Sequence, residues 1–126
     1  MINNPACWFE IYVDDLPRAK SFYQTVLDLQ LESLGDPNDT DIEMLAFPAD
    51  MEKYGATGAL VKMKGVKAGG NSTLIYFTCE DCAVEEARIE EAGGKIERTK
   101  MSIGEYGNIT LALDTEGNMF GLHSSK

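Results

Sequence analysis

Side chains able to do chemistry stand at only a few places in this sequence. An acid, Glu10, sits in the middle of the apolar run Cys7-Trp8-Phe9-Glu10-Ile11-Tyr12-Val13. Alternation along a strand puts Trp8, Glu10 and Tyr12 on one face and Phe9, Ile11 and Val13 on the other. The second face is a packing face, while the first, aromatic and acidic, has the make-up of a ligand cavity wall. Two readings of Glu10 stay open. It is either a general base raised in pKa by desolvation between Trp8 and Tyr12, or a structural carboxylate bonded to a tyrosine or to backbone amides. In both, a buried acid needs a partner.

Cys79-Glu80-Asp81-Cys82 spaces two thiols at a strand-to-helix junction, where a helix N-terminus lowers a thiol pKa. The two intervening acids oppose a thiolate, and Cys79 should turn inward with Phe77, so redox chemistry is disfavoured. The only histidine, His123, stands two residues beyond Gly121 and shares its face, able to serve as acid, base or polar anchor. Its place near the chain end favours plain exposure. Tyr54-Gly55 and Gly104-Glu105-Tyr106-Gly107 either rim a site or are turns in which glycine supplies a positive φ; the turn is favoured. Met44, Met51, Met63, Met101 and Met119 read as adaptable core filler.

These residues need elements to hold them. Asp15 caps a helix from about Leu16 to Leu27, with Pro17 in its first turn and apolar residues at helical spacing that cover the Phe9/Ile11/Val13 face. Strands follow at about Leu29 to Ser33, Ile42 to Phe47 and Ala59 to Lys64, with a turn-rich acidic stretch from Gly35 to Asp41. The second half repeats the order. Thr73 to Cys79 is a strand, Asp81 caps a helix from about Cys82 to Ala92 that Gly93-Gly94 ends, and strands run over Lys95–Lys100, Tyr106–Asp114 and Met119–His123. A shift of 66 residues lays Trp8 on Leu74, Glu10 on Tyr76, Tyr12 on Thr78 and Asp15 on Asp81.

The predicted fold is therefore α+β: one domain over residues 1–126 built of two tandem βαβββ modules, about 1–64 and about 72–126. A curved mixed sheet forms a cup with the helices on its outer face. The cup wall would carry Trp8, Glu10 and Tyr12 from one module and Leu74, Tyr76 and Thr78 from the other.

Composition narrows the partners. With 21 acidic against 11 basic residues, a net charge of −10 and no basic cluster, nucleic acid and anionic membrane surfaces are not expected. No apolar run approaches the roughly 20 residues of a membrane span, and no signal-peptide pattern opens the chain. Three cysteines, an odd number, speak against a disulfide framework and for a reducing, cytoplasmic setting.

Trp8-Phe9-Glu10-Ile11, Asp15-Leu16 with Arg18-Ala19 and Phe22-Tyr23, Gly58-Ala59-Leu60-Val61, Gly93-Gly94-Lys95, and Asp114 through His123 together resemble the glyoxalase/bleomycin-resistance/extradiol-dioxygenase group, the vicinal oxygen chelate superfamily. The resemblance covers essentially the full chain and implies paired βαβββ modules around a cup, and commonly a homodimer. It also implies metal ligands at Trp8, at about Leu74, near Ala59 to Val61 and at Gly121, none of which offers a donor. The expectation is thus a small-molecule-binding protein with no metal and no other cofactor, Glu10 as main polar contact, and Trp8, Tyr12, Leu74, Tyr76, Thr78, Gly121 and His123 around the ligand. The alternative is a glyoxalase-type lyase or isomerase with Glu10 as base and a non-standard metal set drawing on His123.

Overall fold

The computed structural model describes residues 4–35, 38–50 and 52–126. Met51 and part of the expected 35–41 turn lie outside the described residues.

Module 1 runs β1 (Trp8–Tyr12), α1 (Leu16–Leu27), β2 (Glu32–Leu34), β3 (Ile42–Ala46) and β4 (Thr57–Met63). Module 2 repeats it as β5 (Tyr76–Thr78), α2 (Cys82–Ile89), β6 (Lys95–Ser102), β7 (Asn108–Leu113) and β8 (Met119–Ser124), with a 3₁₀ turn at Gly104–Tyr106. Each module makes its own four-stranded mixed sheet, ordered β1-β4-β3-β2 and β5-β8-β7-β6. The first and last strands of each module pair in parallel, and the other pairings are antiparallel.

Both predicted caps form. Extended Asp15 accepts the Arg18 amide at 3.0 Å, and extended Asp81 accepts that of Ala83 at 3.0 Å. Asp28, in the left-handed region at φ 53°, closes α1. Helix α2 stops at Ile89, three residues earlier than expected, because the chain tightens into turns before Gly93 takes φ 102°. Strand β5 is shorter than the expected Thr73–Cys79. Asn71 takes up the Met119 amide (3.1 Å) and both the Thr73 and Met119 carbonyls, so the chain entering β5 is tied by a side chain instead of a ladder.

A single apolar core serves both modules. Phe9, Phe22, Tyr23, Phe47, Phe77 and Phe120 meet ring to ring with centroids 5.0–6.0 Å apart, drawing on strands of both sheets and on α1. Burying such rings is the main favourable term in folding. The two thiols of the Cys-x-x-Cys lie on this side: Cys82 is buried and Cys79 half-buried. Burial first, then nearby Glu85, pushes the Cys79 thiol up to about 12, far from a reactive thiolate.

The turn between β7 and β8 clasps module 2 to module 1. Buried Glu116 accepts the Asp14 and Asp15 amides at 3.0 and 2.8 Å and both the Nε (2.6 Å) and Nη2 (2.9 Å) of Arg18. Asp114, also buried, accepts the Tyr23 hydroxyl at 2.6 Å together with the Glu116 and Asn118 amides. Asn118 donates to the Tyr12 carbonyl at 2.9 Å and accepts the Gly69 amide at 2.7 Å. Arg88 of α2 adds a bond to the Val26 carbonyl at the end of α1, 3.1 Å away. Among the described residues no helix is long and apolar enough to cross a membrane.

Candidate functional site

Strand β1 presents Trp8, Glu10 and Tyr12 on the face away from the core, as alternation requires, while Ile11 and Val13 are buried behind. The Tyr12 hydroxyl donates to Glu10 Oε1 at 2.8 Å, and the Trp8 indole N–H donates to Oε2 at 3.3 Å. The Glu10 bond, with burial and the carboxylate charge behind it, raises the Tyr12 pKa, so this hydroxyl stays a donor at neutral pH. Glu10 is exposed, and among the described residues it has no cationic partner. On the neighbouring strand, Ala59 and Val61 stand level with Glu10 and Tyr12 and are wholly buried, so the open part of this face is its β1 edge.

In module 2, Tyr76 lies level with Gly121 and Thr78 level with His123. The Tyr76 ring crosses Gly121 so closely that a Cβ there would stand 2.3 Å from ring carbons; only glycine fits. Leu74 and Tyr76 remain 36% and 45% exposed, large apolar side chains without cover in the single chain. His123 does not behave as a loose chain end: β8 runs on to Ser124 between two strands, leaving the imidazole half-buried with Nε2 2.7 Å from the Tyr106 carbonyl. A carbonyl only accepts, so Nε2 carries the proton in this contact. Gly55, Gly104 and Gly107 all take positive φ, matching the turn reading of both tyrosine loops.

No hydrogen bond or ring contact among the described residues joins the Trp8/Glu10/Tyr12 set to the Leu74/Tyr76/Thr78/His123 set. Instead Glu10 and Tyr12 open on a cavity of about 290 Å³ at the seam of the modules. Ile11, Tyr23, Ile75 and Phe120 give it an apolar floor, and the inter-module segment with Lys67, Ser72 and Thr73 gives it a polar wall. That wall was not singled out in the sequence; the polar run Asn71-Ser72-Thr73 straight after Gly69-Gly70 was its signal.

The sequence matches the model of the Glyoxalase/Bleomycin resistance protein/Dioxygenase superfamily over residues 7–122. The chain belongs to that superfamily. Among curated proteins none matches it. Solved structures of similar fold include glyoxalase I from Zea mays, with TM-score 0.75 and 21% identity over 94% of this chain and 45% of that one. This chain thus spans about half the length of the maize protein. The trypanothione-dependent glyoxalase I of Leishmania major gives TM-score 0.72 and 18% identity, covering 98% of this chain and 88% of that one. A glyoxalase/bleomycin resistance protein from Albidiferax ferrireducens gives 0.66 and 18%, covering 96% and 98%.

The resemblance implies a divalent ion in enzymes of this superfamily, and the described residues at the positions it points to do not make a ligand set for one. Trp8, Leu74 and Gly121 supply no donor at the positions the resemblance points to, and the Tyr76 ring fills the space beside Gly121. Among the described residues no three His, Cys, Asp or Glu side chains converge.

Proposed function

We propose that this superfamily member binds a small organic molecule against the Trp8–Glu10–Tyr12 face of its cup, without the divalent ion of the standard enzymes. The observation that carries the reading is Glu10 itself: an exposed carboxylate steadied by an indole and a phenol, with no cation among the described residues to neutralise it. Such a group is preorganised to hold a ligand. Leu74, Tyr76, Thr78, Gly121 and His123 form the facing wall. The uncovered apolar surface of Leu74 and Tyr76 supports a homodimer in which a second chain completes the cup, and the odd cysteine count supports a cytoplasmic setting.

Metal analysis of the purified protein separates this reading from a glyoxalase-type lyase using Glu10 as base. We expect no stoichiometric divalent ion, in the wild type or in Glu10→Gln. One equivalent per chain, lost in Glu10→Gln, would sink the metal-free reading.

A further inference from the structure

The seam cavity holds one acid and one base that have not found each other. Glu10 and Lys67 both line it, yet they form no ion pair with one another, and Lys67 has no hydrogen bond or ion pair with any described residue. The Ser72 and Thr73 side-chain hydroxyls on the same wall are likewise without internal partners among the described residues. Ile11, Ile75 and Phe120 line the same cavity with apolar surface.

We infer that this cavity takes a small zwitterion with an apolar body, chemically an α-amino acid with an aliphatic or aromatic side chain. The ligand's ammonium meets Glu10, whose two oxygens are already oriented by Trp8 and Tyr12. Its carboxylate meets Lys67 and the adjacent hydroxyls, and its side chain lies on the floor. Charge-assisted hydrogen bonds at both ends are the strong kind, and partial enclosure strengthens them further. The volume, about 290 Å³, lies just below the range of about 300–1,000 Å³ typical of ligand pockets, which suits one such molecule and not a peptide.

The backbone that follows Lys67 along this wall is held in place beside the cavity. Asp14 accepts the Ala68 amide at 3.1 Å, Asn118 accepts the Gly69 amide at 2.7 Å, and Asn71 binds both the amide and the carbonyl of Met119. The inference rests on Glu10 being a ligand contact, and the test keeps the two ideas apart.

Calorimetric titration with L-phenylalanine, phenethylamine and 3-phenylpropionate, on wild type, Glu10→Gln and Lys67→Met, reads each end of the ligand separately. Both residues are exposed, so an unchanged thermal midpoint should certify folding. L-Phenylalanine should bind wild type most tightly. Lys67→Met should weaken it about tenfold or more while sparing phenethylamine, and Glu10→Gln should weaken both by a similar factor. Phenethylamine binding as tightly as L-phenylalanine, with no effect of Lys67→Met, would overturn the zwitterion and leave Glu10 as a contact. No binding of L-phenylalanine or L-leucine at millimolar concentration would overturn it as well. L-Phenylalanine binding untouched by Glu10→Gln would overturn both ideas.

Discussion

Asp114→Ala is expected to lower the unfolding free energy by about 4 kcal/mol, read as a shifted urea midpoint at unchanged slope. Asp114 is 5% exposed and satisfies the Glu116 and Asn118 amides, the Asn118 side chain and the hydroxyl of Tyr23, itself wholly buried. Alanine leaves the Tyr23 hydroxyl and the Glu116 and Asn118 backbone amides without this acceptor, while the Asn118 side chain keeps the Tyr12 carbonyl, and each orphan costs about 1–3 kcal/mol before water enters to relieve it. Tyr23→Phe removes only the hydroxyl and should cost about 1–2 kcal/mol. If Asp114→Ala were no worse than Tyr23→Phe, the turn would not be the clasp described here. Burial, the largest influence, raises the Asp114 pKa against the donors that lower it. Burial likewise pushes the Tyr23 hydroxyl well up, and the Asp114 charge adds to it. A folded pKa above the unfolded one means that Asp114's own titration contributes most stability in acid, and loses it as pH rises through the folded value.

Glu116 should behave in the opposite sense. Burial, the largest single influence, would raise its carboxyl; the Arg18 guanidinium, the Asp15 amide, the Thr115 hydroxyl and the Asp14 amide together outweigh it and bring the group from 4.5 down to about 2. A depressed pKa gives stability that is present above pH 4.5 and lost as pH falls toward 2. At full strength that drop corresponds to roughly 3 kcal/mol. The Arg18 side chain is 51% exposed, so solvent screens part of the pair, and Glu116→Gln should cost about 2 kcal/mol at pH 7. The gap between wild type and Glu116→Gln should therefore close as pH is lowered from 4.5 to 2. A gap that stays constant across that window would show that the Glu116 charge does not hold the modules together.

Much of the fold was legible because it is local. Asp15 and Asp81 announce their helices through side chains that bond amides two or three residues on, and the alternation of Phe9, Ile11 and Val13 against Trp8, Glu10 and Tyr12 fixes the faces of β1. The clasp was not legible. Asp114 reads locally as a strand end and Thr115 to Asn118 as a turn, and their partners Tyr23, Arg18 and Tyr12 stand about a hundred positions earlier, brought close only by the docking of the modules. His123 was misjudged from its position in the chain, since proximity to the C-terminus says nothing of a strand that ends between two others. Glu10 was rightly marked as unusual, and its bond to a tyrosine was one of the readings foreseen. Its exposure was not, because alternation tells which face a residue takes and not what covers that face.

The seat of the ligand can be read directly, because Trp8 is the only tryptophan of the chain and its indole touches Glu10. Emission of Trp8 should be followed while small organic molecules, amines and amino acids first, are titrated into the protein in the presence of a strong metal chelator. We predict a saturable change in wild type that persists under chelation and weakens about tenfold or more in Glu10→Gln. A change that appears only when a divalent ion is added back, or one equally strong in Glu10→Gln, would contradict a metal-free ligand site built on Glu10.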